Sequence, residues 1–243
     1  MVIDFLAVTR QECERFSRLA RTVPHDAPIP HLPDWTAHDV IAHLAGDYRW
    51  AQQIITTRVN PRTGLQAVVH RGDELCAEWD AAASDLIQLL TFCDPAAACP
   101  NFAQGDAGVT AWWVRHQAHE TTLHRWDLES ATGAHTPIAS ALALDGIEEL
   151  FAVYAERYRP FALSAPVTLA CPSHGRAWTV SPAGDGTVVK MALTDGLDRA
   201  DLEASPEALL LALWHRIGLE DPRVRITGND DQVRALFDGP LTA

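Results

Sequence analysis

What this chain lacks narrows its chemistry before any motif is read. Its five cysteines (Cys13, Cys76, Cys93, Cys99, Cys171) are odd in number and include no C-x-x-C pair. Neither a disulfide framework nor a cysteine zinc site is encoded, and a reducing cytoplasm is the expected setting. No run approaches the roughly 20 apolar residues needed to span a bilayer. Met1 to Thr9 lead at once into Arg10-Gln11-Glu12-Cys13-Glu14-Arg15, without the basic-then-apolar order of a signal peptide. Positive charge is also scarce: 19 Lys and Arg against 32 Asp and Glu leave a formal net charge of −13. That balance argues against nucleic acid or an anionic membrane as principal partner. Internal repeats and low-complexity segments are absent.

What is there is an ordinary globular composition, 47% hydrophobic and 21% charged over 243 residues. This is enough chain for a core without disulfides, in one large domain or two smaller ones. Within it, Glu120-Thr121-Thr122-Leu123-His124 carries the clearest chemistry. Residues four apart on a helix point the same way, so Glu120 and His124 share a face. His43, in the amphipathic run Asp39-Val40-Ile41-Ala42-His43-Leu44, supplies a third donor from a second helix. Two imidazoles and one carboxylate suit zinc and leave positions open for water or substrate. His119-Glu120 followed by His124 imitates the zincin motif H-E-x-x-H, but the two histidines are five residues apart. That separation turns them about 140° around the helix, off any common face. The usable stripe is His116, Glu120, His124.

The pattern of apolar residues predicts helices over about 4–22, 36–59, 70–93, 110–132 and 138–155. Pro24 to Pro33, with four prolines, is a loop. Thr36 followed by Asp39 marks the start of the second helix, and Gly133 the end of the fourth. From about residue 160 the texture changes. Short strands are expected over 166–171, 177–181 and 187–193, with a hairpin signal at Gly184-Asp185-Gly186. Ser205-Pro206-Glu207 opens a helix, Val224 to Gly228 reads as a last strand, and Asp230 to Phe237 as a short terminal helix. The expected class is α+β: a helical domain over 1–160 and a small α+β domain with an antiparallel sheet over 161–243.

Pro33-Asp34-Trp35-Thr36-Ala37-His38-Asp39-Val40-Ile41-Ala42-His43-Leu44 and His119-Glu120-Thr121-Thr122-Leu123-His124-Arg125-Trp126-Asp127 resemble the mycothiol-dependent maleylpyruvate isomerase family. Leu209 to Arg216 and Ile226-Thr227-Gly228-Asn229 resemble that family's C-terminal domain, with Asn229 standing where the family usually has Asp. The resemblance runs over nearly the whole chain. It implies a DinB-like four-helix bundle with zinc on His43, Glu120 and His124, followed by a small sterol-carrier-like domain that closes over the metal. It further implies mycothiol as thiol cosubstrate, a small electrophile as substrate, and isomerisation or S-transfer as the reaction. Arg216 is then the residue for an anionic group of substrate or thiol.

Other readings stand beside these. Asp47, one turn after His43, is a fourth ligand, a supporting acceptor or a solvated carboxylate. His116 is a further ligand or a catalytic group. Asp127 either orients an imidazole or pairs with Arg125 or Arg115. Trp112, Trp113 and Trp126 read as bundle core, with Trp113 the candidate to pack against the thiol. Trp35 staples the loop to the helix start. Cys171-Pro172-Ser173-His174 reads as a turn between strands. A zinc hydrolase with Asp47, His116 or His119 as general base is the alternative function, and a non-catalytic metal- or ligand-binding protein the third. The chain is expected as a monomer or homodimer.

Overall fold

Local start signals open the helices. The Asp4 carboxylate accepts the Ala7 N–H at 3.0 Å and begins α1 (Phe5–Thr22). Thr36 and Asp39 form a reciprocal capping box at the head of α2 (Ala37–Thr57), with the Thr36 N–H on Asp39 Oδ2 at 2.8 Å. Such a box satisfies two N–H groups that no helical carbonyl reaches. Then come α3 (Asp73–Phe92) and α4 (Thr110–Ser130). Gly133 lies just past α4 at φ 72°, a conformation that glycine adopts without a Cβ penalty, and its N–H reaches Glu129 O at 3.1 Å. These details come from a computed structural model that describes residues 2–61, 64, 67–105, 107–154, 163–183, 186–188 and 199–238.

The chain divides into two units, Met1–Thr136 and Pro137–Ala243. In the first, α1 packs on α3 and α4, and α2 packs on the same two helices, giving the expected four-helix bundle. Phe16, Ile41, Leu44, Ile54, Leu75, Trp79 and Leu86 are wholly buried between them. Each such side chain contributes on the order of 2 kcal/mol of hydrophobic stabilisation. Helix α4 differs from its neighbours: every residue from Thr121 to Ser130 is buried, charged ones included. Its polar side chains must therefore find partners inside the protein.

The second unit begins earlier than residue 160, because α5 (Ser140–Val153) belongs to it and packs on α6 (Pro206–Leu213). The amphipathic pattern of α5 names an apolar face but not the surface that face meets. Strands β1 (Val167–Cys171), β2 (Arg176–Ala183), β3 (Gly186–Val188), β4 (Leu202–Ala204) and β5 (Val224–Ile226) form one sheet in the order β3-β2-β1-β4-β5. The expected antiparallel pairing holds for β1–β2, β2–β3 and β4–β5, whereas β4 lies parallel to β1. The hairpin residues 184 and 185, and the expected third strand beyond Val188, lie outside the described residues. The Ser205 hydroxyl caps α6, and the Asn229 side chain caps α7 (Asp230–Phe237). Among the described residues no helix is long and apolar enough to cross a membrane.

Candidate metal centre

Helix α2 brings His43, and α4 brings Glu120 and His124, to one point in the first unit. His124 Nε2 lies 3.0 Å from Glu120 Oε1, and His43 Nε2 lies 3.5 Å from the same oxygen. The two imidazole centroids are 4.8 Å apart, and one donor atom from each residue falls within 4.8 Å of the others. Ligand atoms about 2 Å from a tetrahedral zinc stand roughly 3.3 Å from each other. The two Glu120 distances bracket that value, and two imidazoles with a carboxylate are the donor chemistry a divalent cation takes. Side-chain exposure rises from 9% at His124 through 14% at Glu120 to 26% at His43. The cluster is thus nearly closed to solvent at His124 and partly exposed at His43.

Charge within the cluster follows from that packing. Burial works against the His124 imidazolium, but the Glu120 carboxylate and hydrogen bonds to Asp127 and Glu120 outweigh it and push the group up to about 9. Burial likewise opposes the Glu120 anion, yet His124, His43 and His116 hold it well below the usual carboxylate range. Burial and the neighbouring Glu120 push Asp47 up to about 6, against the pull of His116, Gln117 and His43.

The other candidates fall into place around this core. Asp47 and His116 are not among the converging donors. Asp47 is buried and accepts the Gln117 Nε2–H at 2.9 Å. His116 turns into an aromatic cluster, stacked on Trp112 at 4.7 Å and edge-on to Phe102 at 5.0 Å. Trp113 is fully buried and donates its indole N–H to Pro100 O at 2.9 Å. It is a bundle-core residue, because that position leaves no face for a thiol. His119 faces away from the centre, towards Phe5 of α1. Arg216 lies in the second unit, where its guanidinium donates to Trp214 O at 2.9 Å and sits over the Trp214 ring. Burial pushes the Cys13 and Cys171 thiols up to about 12, which removes both as nucleophiles near neutrality.

Two supporting contacts were not read from the sequence in this form. Asp127 Oδ2 accepts from Nδ1 of His124 at 2.9 Å, and its Oδ1 accepts from Nε2 of His31 at 2.7 Å. Arg125 is committed elsewhere, to Glu12 and Glu129. Trp35, expected as a staple, stands edge-on to His43 at 5.2 Å. No local spacing signals a pairing of residues 31 and 127, 96 positions apart.

The family model for the mycothiol maleylpyruvate isomerase N-terminal domain matches residues 9–129, a span that contains all three converging donors. A solved structure described as the crystal structure of the mycothiol-dependent maleylpyruvate isomerase is similar in fold. It has a TM-score of 0.61 at 14% identity, over 86% of this chain and 87% of that one. No curated protein matches the chain in sequence.

Proposed function

From a first unit whose residues 9–129 belong to the mycothiol maleylpyruvate isomerase N-terminal domain family, we propose that His43, Glu120 and His124 hold a divalent metal, with zinc the best fit. On this reading the protein is an enzyme that activates a low-molecular-weight thiol, mycothiol by family, for isomerisation of a small electrophile or S-transfer to it. The observation that carries the reading is the convergence of two imidazoles and one carboxylate on a point that is open on the His43 side. A divalent cation bound there supplies Lewis acidity and favours the thiolate form of a thiol near neutral pH.

The chain's own residues do the rest. Glu120 offsets one positive charge and keeps the centre cationic overall, which suits an anionic sulfur. His43 and His124 direct Nε2 towards that centre. Asp47, which burial and the Glu120 charge push up to about 6 before any cation is bound, is the buried carboxyl group beside the cluster that would exchange a proton at its side-chain oxygens. No cysteine of the protein takes part, in keeping with the raised Cys13 and Cys171 thiols.

Metal content followed by mycothiol titration tests this reading. About one zinc per chain, with saturable thiol binding that vanishes in Glu120→Ala, is the expected result. Zinc without thiol binding would move the assignment to a hydrolase that uses water. A chain without metal would overturn both.

A further inference from the structure

The proline-rich loop between α1 and α2 is closed on itself by backbone hydrogen bonds. Ala27 N–H reaches Pro24 O at 3.0 Å, Ile29 N–H reaches Trp35 O at 2.9 Å, and Leu32 N–H reaches Ile29 O at 3.1 Å. Ala37 N–H to Ala27 O and His38 N–H to His25 O tie the same loop to the first turn of α2. Ile29 is buried beneath it. Four prolines restrict the chain before folding, so ordering the loop costs less entropy than its length suggests. A segment of this kind holds its side chains in fixed places.

One of those side chains meets an imidazole of the cluster, and another reaches the second imidazole through a carboxylate. Trp35 stands edge-on to His43, and His31 donates to Asp127, whose second oxygen takes the Nδ1 proton of His124. Asp127 is wholly buried, and the His31 side chain is 9% exposed. Trp126 packs on the His31 ring at 5.1 Å and stacks on His135 at 4.1 Å, which confines the His31 imidazole further.

The chemical consequence concerns the Nε2 atom of His124. With Nδ1–H committed to Asp127, Nε2 is the nitrogen that donates to Glu120 while the ring is protonated, and it would be the ligand atom once a cation displaced that proton. The carboxylate can hold His124 in that tautomer only while its own plane is fixed. His31 fixes it from the opposite oxygen. Without that donor, a buried carboxylate oxygen loses a hydrogen bond that no solvent replaces, and the hold of Asp127 on His124 Nδ1 loosens.

We infer that His31 is a positioning residue for the metal centre: acting through Asp127, it sets the tautomer and ring orientation of His124, so the α1–α2 loop tunes metal affinity. This rests on the reading of His43, Glu120 and His124 as metal ligands. The test uses Zn2+ alone, competed against a chromogenic chelator, on the full-length wild type, His31→Leu and His31→Gln. His31→Leu removes the donor, whereas His31→Gln retains an N–H. Loss of such an outer hydrogen bond weakens metal binding about 10-fold or more. His31→Leu is expected to show that loss, and His31→Gln to recover to within roughly 3-fold of wild type by keeping the donor. In the metal-free protein, the downfield proton resonance of His124 Nδ1–H should shift in His31→Leu and return in His31→Gln. If His31→Leu does not fold, His31→Asn, whose shorter amide falls short of Asp127, takes its place in both measurements. Tight wild-type binding with unchanged affinity and an unmoved resonance in the donorless variant would overturn the role of His31 alone. A wild-type chain that takes up no Zn2+ would overturn the metal reading, and this inference with it.

Discussion

His124 and Arg125 are neighbours on α4, and each anchors a buried polar cluster, but the two clusters are wired differently. The Arg125 guanidinium donates to Glu12 at 2.7 Å, to Glu129 at 2.6 Å and to Thr136 O at 2.6 Å. Glu129 also accepts the Thr136 N–H and hydroxyl, and Glu12 accepts from Arg15. Every charge there meets an opposite one, and the cluster ties α1 to α4 and to the segment after it. At His124 two imidazoles, its own and that of His43, converge with the Glu120 carboxylate from two helices, and Asp127 backs the His124 ring from its other nitrogen. Buried charge alone therefore does not mark a functional centre. What separates the two is whether donors saturate acceptors or several lone pairs converge.

The contrast breaks most sharply at the ligands. His43→Ala or His124→Ala should lose stoichiometric zinc while keeping the helical circular-dichroism signal. Full zinc occupancy in either variant would remove that residue from the ligand set. Arg125→Ala should do the reverse, destabilising the fold by about 3–5 kcal/mol because Glu12 and Glu129 are left buried and uncompensated. Chemical denaturation measures this. Replacing Arg125, Glu12 and Glu129 together by apolar residues should cost less than the single change, and a larger loss would show that the cluster does more than cancel charge.

Acid–base behaviour sharpens the comparison further. In the metal-free protein His124 titrates at about 9, above the 6.5 of an unfolded chain. Its contribution to stability is therefore complete below pH 6.5 and lost as pH rises through 9. Glu120, held below its ordinary 4.5, contributes above that value and fails only in more acid solution. The melting temperature of the metal-free wild type should fall between pH 7 and 9.5, and His124→Asn should flatten that slope. Zinc uptake near pH 7.5 should release about one proton, read by calorimetry in buffers of different ionisation enthalpy. The smallest expected effect is Thr36→Ala, which removes one half of the α2 capping box at about 1 kcal/mol and leaves zinc stoichiometry unchanged.

Much of this was legible in the sequence wherever the cause is local. The Thr36–Asp39 box, the Gly133 stop and the Ser205 cap lie within four residues of what they control, and all three fall where they were read. Glu120 and His124 are one turn apart, so helical periodicity alone puts them on one face. The same geometry removes His119, which the structure turns towards Phe5. Strand β4 carries no such local mark: its three residues run straight into the Ser205 cap of α6 without a turn signal, and its parallel pairing with β1 depends on a partner more than thirty positions away.

By itself the sequence determined the helices, their ends, the α+β class and the stripe that carries Glu120 and His124, because those follow from short-range sterics and 3.6-residue periodicity. Tertiary structure alone decided that α5 packs on α6, that Arg125 closes on Glu12 across 113 positions, and that Asp127 joins His31 to His124. Each of those choices is made by a buried group that must find a complementary surface or partner. In a folded chain that partner is selected by proximity in space, which no local pattern records.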